Sequence, residues 1–201
     1  MSGRESFEAA LRAGCRGFGQ ADDRLLGLLW EHYELMRRWN KAMSLTTVDA
    51  PDLAARRHYA ESLIGAWTLP SGSFGIVDVG SGAGFPGWVV AAARPELSVH
   101  LVESQKKKAA FLREASDSLA NVRVHAVRSE DFGERMEWVV SRAVRWQDPV
   151  ELARRLGSSV CLWCSLDDAA AVARQADWNW RDPLVLPGAG RSCILVGRCL
   201  A

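Results

Sequence analysis

The chain contains no apolar run near the ~20 residues that a membrane-spanning helix requires. Its first residues, Met1-Ser2-Gly3-Arg4-Glu5-Ser6, lack the cationic-then-apolar layout of an export leader. A cytoplasmic location with no membrane contact is the expectation. Charge of one sign is also missing: Lys and Arg number 25, Asp and Glu 24, for a net charge of +1. There is thus no global basic field of the kind that marks many nucleic-acid binders, although a local patch suffices where phosphates lie. Cysteine is sparse and odd in number, with 5 in all: Cys15, Cys161, Cys164, Cys193 and Cys199. An odd count without a leader argues against a disulfide framework. Cys161-Leu162-Trp163-Cys164 has the C-x-x-C spacing, but no second such pair or histidine pair accompanies it, and it lies in a run that reads as a buried strand. Core packing is its expected role, and no metal is expected. Repeats, low-complexity tracts and long linkers are absent. At 201 residues the chain fits one domain with a sizeable core.

What is present centres on Asp78-Val79-Gly80-Ser81-Gly82-Ala83-Gly84-Phe85-Pro86-Gly87. The apolar run Phe74-Gly75-Ile76-Val77 before it reads as a buried strand. Trp88-Val89-Val90-Ala91-Ala92-Ala93 after it reads as a helix, with Pro86 suited to the first turn. Strand, glycine turn and helix grip adenosine-type ligands, because glycine lets the backbone turn tightly and approach a ligand, while a helix start offers unpaired N–H groups. Counted from Gly82, the segment satisfies the dinucleotide pattern G-x-G-x-x-G. Counted from Asp78, it satisfies D-x-G-x-G-x-G, the pattern of S-adenosylmethionine-dependent methyltransferases. The register favours the second. With the strand ending at Val79, Gly80 is the first turn glycine, and Phe85 falls where the third dinucleotide glycine belongs. Asp78 is expected to accept hydrogen bonds from the methionine part of the cofactor.

Ser98-Val99-His100-Leu101-Val102 reads as the next strand and ends at Glu103, where a carboxylate can hold a ribose diol. That residue suits NAD and S-adenosylmethionine equally. Val122–Val127 reads as a third strand, with Ser129-Glu130 in the loop where an adenine edge lies, and Met136–Val140 as a fourth, ending at Ser141-Arg142. All of these fall at the carboxyl ends of strands, where open α/β sheets bind ligands.

Residues before about 70 lack strand character. A helical pattern begins at Phe7. Leu25, Leu26, Leu29, Trp30, Tyr33, Met36 and Trp39 form an apolar stripe after a capping Asp22. A third helix is expected from Pro51 through Trp67. Later come a helix from Asp148, a strand over Ser158–Trp163, a helix over Asp167–Ala176, and a hairpin with arms Trp180–Leu186 and Ser192–Val196 joined by Pro187-Gly188-Ala189-Gly190. The expectation is an α/β fold of the class I (Rossmann-like) methyltransferase type: a mostly parallel seven-stranded sheet over residues 71–201, with an N-terminal helical cap over 1–70. Lys106-Lys107-Lys108 open an amphipathic helix, where cations are unfavourable, and a phosphate contact is one reason to keep them. Trp146 lies beside the expected site and is a candidate for base stacking.

Several segments together resemble one family, the bacterial small-subunit ribosomal RNA guanine-N7 methyltransferases called RsmG or GidB. Asn40-Lys41-Ala42-Met43-Ser44-Leu45-Thr46 is similar to N-K-x-x-N-L-T, and Arg57-His58-Tyr59-Ala60-Glu61-Ser62 to R-H-x-x-D-S. The glycine segment with its F-P-G ending, Glu103-Ser104 with Lys107-Lys108 and Phe111-Leu112, and Ser141-Arg142-Ala143 also resemble family elements. The resemblance implies methyl transfer from S-adenosylmethionine to N7 of a guanine in the 530 loop of 16S ribosomal RNA, on the RNA or the small subunit, by a monomer. It implies that Asp78, Gly80, Ser81, Gly82, Gly84, Phe85, Glu103, Ser104, Ser129, Glu130 and Arg142 bind the cofactor. Arg142 is the first candidate for the reacting base. Arg57, Arg145, Arg191, Lys107 and Lys108 are candidates for RNA. Three departures fall on the substrate half: Ser44 and Glu61 replace Asn and Asp, and Ser165-Leu166-Asp167-Asp168 stands where the family carries a lysine-glycine pair. A methyltransferase of small molecules and a cofactor-binding protein without turnover remain alternatives, with an NAD oxidoreductase behind them.

Overall fold

A computed structural model describes residues 2–156, 158–188 and 190–200; Ala189 of the expected hairpin loop lies outside them. Two helices open the chain, α1 (Gly3–Gly14) and α2 (Asp23–Asn40). Ser2 caps the first in a reciprocal capping box with Glu5, and the Asp22 carboxylate caps the second by accepting from Leu25 N at 2.7 Å. The third expected helix runs unbroken but changes winding. It comprises α3 (Pro51–Ala54), a π-helical turn (Ala55–Ala60) and α4 (Glu61–Thr68).

The sheet contains β1 (Gly75–Val79), β2 (Ser98–Val102), β3 (Val122–His125), β4 (Trp138–Arg142), β5 (Ser159–Ser165), β6 (Trp178–Trp180), β7 (Leu184–Val185) and β8 (Ser192–Cys199). Its order is β3-β2-β1-β4-β5-β8-β6, with the two-residue β7 paired to β8 off this path. The first five strands are mutually parallel, and β8 runs antiparallel between β5 and β6. Between them lie α5 (Gly87–Ala93), α6 (Lys106–Ala115), α7 (Gln147–Leu156) and α8 (Leu166–Val172). The expected seven-stranded path is therefore present, with one short strand added.

Strand alternation divides the core. Ile76, Leu101, Val140 and Cys161 face a cluster with Phe7, Leu29, Tyr33, Tyr59 and Trp88. Val77, Val102, Val139 and Val160 face a second cluster with Phe132, Val150, Leu152 and Val172. The N-terminal helices thus share a layer with α5 and α6. The apolar stripe of α2 is buried as expected at Leu25, Leu26, Leu29, Tyr33 and Met36, with Trp30 and Trp39 half-buried against it.

Several boundaries differ from the sequence reading. β4 begins and ends two residues later than Met136–Val140, because its neighbours set its ends: Ile76 pairs Trp138 and Trp163 pairs Arg142. β3 stops at His125, where its pairing with Val102 ends. The helix expected over Asp167–Ala176 starts at Leu166, because Ser165 caps it, and ends at Val172. The first hairpin arm is broken into β6 and β7 around Pro183, which has no N–H to donate.

The tightest joint between the helical layer and the sheet is Gly65 against Trp163. A Cβ at Gly65 would lie 1.8 Å from Trp163 Cζ2. Gly65→Ala should therefore destabilise the fold by about 1–3 kcal/mol, the usual cost of overpacking. An unchanged urea midpoint would show that this joint is loose.

Candidate functional site

The glycine segment closes tightly over the end of β1. Gly80 N and Ser81 N donate to Val102 O at 2.9 and 3.1 Å, binding the turn to β2. Gly80 has φ +70°, which L side chains rarely adopt, and a Cβ there would meet Val144 Cγ1 at 2.5 Å. Glycine is thus required twice over, by conformation and by the approach of the 143–146 loop.

Asp78 lies beneath the glycine turn. Strand alternation puts it on the same side as Ile76, beneath α5, where Oδ2 accepts from Gly87 N at 2.9 Å. It is fully buried and lines neither cavity of the cleft. Oδ2 thus holds the first N–H of the helix that follows the glycine turn, while Oδ1 is buried without a partner. Gly87 permits this approach, because a Cβ there would lie 2.6 Å from Asp78 Oδ2. Burial raises the Asp78 pKa to about 7, against the partial compensation of the Gly87 N–H and Ser81.

Above the turn lie two connected hollows. A cavity of about 410 Å³ is lined by Gly80, Ser81, Gly82, Phe85, Glu103, Ser104, Lys108 and Arg142, all expected site residues, and also by Thr46, His58 and Val144. A smaller hollow of about 190 Å³ is lined by Ser129 and Glu130 and shares Gly80, Ser104 and Val144 with the first. Glu103 is buried at the floor. Its Oε2 accepts from Gly82 N at 3.0 Å and its Oε1 from Gln105 N at 2.8 Å, so the carboxylate is oriented by two backbone N–H groups and keeps lone pairs for further donors. Gly84 turns away from the cleft toward Trp88 and His32 and lines neither hollow.

The wall on the helical side comes from residues the sequence reading left out of the site. Asn40 Oδ1 accepts from Leu45 N and Thr46 N at 2.8 and 3.0 Å, which shapes the 40–46 loop. Thr46 Oγ1 lies 2.9 Å from His58 Nε2, and the His58 ring stacks on Phe85 at 4.7 Å. Burial, reinforced by the charges of Arg142 and Arg57, lowers the His58 pKa to about 4, so the ring is neutral at pH 7. The Asn40–Thr46 and Arg57–Ser62 segments carried a signal as family motifs; Val144 carried none.

Arg142 connects this cleft to a third cavity of about 450 Å³, lined by Glu61, Arg142, Ala143, Val144, Arg145, Trp146, Trp163, Ser165 and Asp168 among others. Its Nη2 donates to Glu61 Oε2 at 2.6 Å, while Nη1 is buried without a partner. Trp163 Nε1 donates to the Glu61 carbonyl at 2.8 Å. Burial raises the Glu61 pKa, against the lowering effect of the Arg142 and Arg57 charges. Arg57 is exposed and close enough for its charge to act on His58, Glu61 and Arg142. Arg145 and Trp146 line the third cavity. Lys107 is exposed outside all three hollows, and Arg191 is an exposed partner of Asp167 at 2.6 Å. The structure thus gathers Arg57, Arg142 and Arg145, while Lys107 lines none of the three hollows and Arg191 is paired with Asp167 beside the Ser165–Asp168 wall of the third.

Ser165-Leu166-Asp167-Asp168, one of the departures noted from the family resemblance, is a helix start. Ser165 Oγ accepts from Asp168 N at 3.0 Å, and Asp167 and Asp168 occupy the first turn of α8, where negative charge is favourable. Cys161 and Cys164, three apart on a strand, fall in opposite layers of the core and cannot share a ligand.

The raised pKa of Asp78 sets a pH dependence. Protonation is favoured in the folded chain, so this group's stabilising contribution is complete below the unfolded carboxylate value and is lost as pH rises to about 7. Asp78→Asn should flatten the decline in stability between pH 4 and 7, measured by urea unfolding without added ligand. An identical pH slope in the variant would exclude Asp78 as its source.

Residues 26–166 match the family model described as rRNA small subunit methyltransferase G, GidB. The chain is 47% identical over 124 residues to the ribosomal RNA small subunit methyltransferase G of Nitrosomonas europaea, an alignment that takes in 59% of this chain and 56% of that protein. It is 37% identical over 162 residues to the protein of that name from Solibacter usitatus, over 77% of both chains. The fold is also similar to a ribosomal protein L11 methylase from Lactobacillus delbrueckii, with TM-score 0.58 and 12% identity over 73% of this chain and 80% of that one. The family model spans the helical wall, the glycine turn, Glu103 and Arg142 together, and the chain belongs to the rRNA small subunit methyltransferase G family.

Proposed function

We propose that the chain transfers the methyl group of S-adenosylmethionine to N7 of a guanine in the 530 loop of 16S ribosomal RNA, in the cytoplasm and as a monomer. The observation that carries this reading is the wall Arg142-Ala143-Val144, which faces both the cleft holding Glu103 and the cavity holding Arg145 and Trp146. Two ligands on either side of that wall would meet at Arg142. The relatives' name gives the substrate class.

The cleft fits S-adenosylmethionine in its donor set. Glu103 accepts from ribose hydroxyls, Gly82 leaves open space for close approach to the backbone, and Ser129 and Glu130 face the adenine edge. When bound, S-adenosylmethionine supplies an electrophilic methyl group. Guanine N7 has a free lone pair, so the acceptor requires no base, which accords with a neutral His58 held by Thr46 and Phe85. What the residues contribute is position and exclusion of water. Arg142, fixed by Glu61, presents the unpartnered Nη1 as a donor for O6 or a phosphate oxygen. Arg145 supplies a phosphate contact, and Trp146 a face for an unstacked base. In this reading residues 1–70 and 71–201 act as one domain, because the cleft takes its walls from both.

A small-molecule acceptor is the second reading. The observation in its favour is the Ser165–Asp168 wall, acidic where the family carries a cation.

The test is transfer of labelled methyl from S-adenosylmethionine to small ribosomal subunits that lack their own N7 methylation, with mapping of the modified base. Label on one guanine N7 in the 530 loop is expected. Cofactor binding without label on RNA or subunits would move the reading to another acceptor. Arg145→Ala should leave cofactor affinity unchanged and reduce transfer about ten- to hundredfold, the effect of losing one charged contact. Unaltered transfer would remove Arg145 from the RNA surface.

A further inference from the structure

His100 and His125 lie together at the β3 edge of the sheet. The register pairs Val102 with His125 and His100 with Arg123, so the two histidines are diagonal neighbours on one face. That face is the one carrying Val77, Val102 and Phe132. His100 Nδ1 and His125 Nε2 are 3.0 Å apart. Glu134, on the segment between the Ser129–Asp131 turn and β4, brings Oε2 to 3.5 Å from His100 Nδ1 and Oε1 to 3.8 Å from His125 Nε2. Phe132 meets both imidazoles edge-on, at 5.9 and 5.3 Å between ring centres.

These separations have a specific chemical meaning. Zinc bound at ~2.0–2.1 Å in tetrahedral geometry holds neighbouring ligand atoms about 3.3 Å apart. The two ring nitrogens are 3.0 Å apart and each faces one oxygen of the Glu134 carboxylate, at 3.5 Å for His100 and 3.8 Å for His125, so the three side chains converge within the span of one such ion. Two imidazoles and a carboxylate select first-row transition metals over magnesium or calcium, which prefer all-oxygen shells. His100 is buried. His125 and Glu134 are increasingly exposed, at 23% and 49% for their side chains, which provides an entry path and an open fourth position for water.

We propose that His100, His125 and Glu134 form a binding site for a divalent transition metal of the zinc class. The sequence reading expected no metal; these three residues lie on two strands and a loop with no ligand spacing along the chain. The site is separate from the methyl-transfer cleft, but it would tie the segment carrying Ser129 and Glu130 to β2 and β3. The competing account is a hydrogen bond between the two histidines with Glu134 as a nearby charge.

Zinc titration into the full chain, followed by calorimetry and by thermal unfolding, separates the two. One zinc ion per chain is expected, with a rise in Tm by mass action. His125→Ala and Glu134→Gln should each weaken binding by at least about tenfold and remove the rise in Tm. Glu134 is half-exposed, so its variant keeps the fold even if His125→Ala does not. Cys164→Ser should leave zinc affinity unchanged, because the thiols are not the ligands. No zinc binding by the wild type, or binding equal in Glu134→Gln and lost in Cys164→Ser, overturns the proposal.

Discussion

The candidate site depends on one buried charge pair. Arg142 at the end of β4 and Glu61 at the start of α4 meet with little solvent around either, and a charge in such a place must be matched or it opposes folding. This requirement fixes the helical layer to the strand ends from which ligands are held. Trp163 strengthens the joint by donating to the Glu61 carbonyl and by filling the space that Gly65 leaves. The third and fourth helical segments are therefore held against the sheet at the height of the ligand cavities. Because Nη1 remains without a partner in its buried setting, the pair stabilises the fold and also leaves one donor available for an incoming oxygen.

The N-terminal helices contribute more than cover. The turn that Asn40 organises and the π-wound segment that carries His58 supply one wall of the cleft, joined to the glycine segment by the stacking of His58 on Phe85. A π-helical turn inside a longer helix advances the chain by an extra residue and commonly occurs at functional sites. Here it lies immediately before Glu61. The departures from the family pattern follow the same logic. Glutamate at 61 reaches Arg142 directly, and serine with two aspartates at 165–168 gives α8 a cap and a favourable first turn.

Much of this was legible in the sequence, for physical reasons that differ by element. β2 was readable residue for residue because Val99, Leu101 and Val102 give it strand character and the polar Glu103 ends it. Asp22 was readable as a cap because its side chain needs only a local N–H. Strand ends set by neighbours were not readable. Arg142 extends β4 because β5 continues far enough to pair with it. The full burial of Asp78 was not readable for a related reason: alternation turns it under α5, where Gly87 N donates to it. Val144 reaches the cleft through a loop with no periodicity, and Ala143 reaches its position with φ +59°. The joining of His100, His125 and Glu134 depends on strand register and a returning loop, neither of which the sequence spacing encodes.

The shared wall at Arg142-Ala143-Val144 also has a thermodynamic meaning. An L-residue in the left-handed region, as at Ala143, is held there by its surroundings at a cost of about 1–2 kcal/mol. Both cavities share this backbone as their wall. A ligand on either side that prefers one position of the wall biases the other side in the same proportion, because binding linkage is reciprocal. The order in which two ligands arrive then leaves their total binding free energy unchanged, while each sets the apparent affinity of the other.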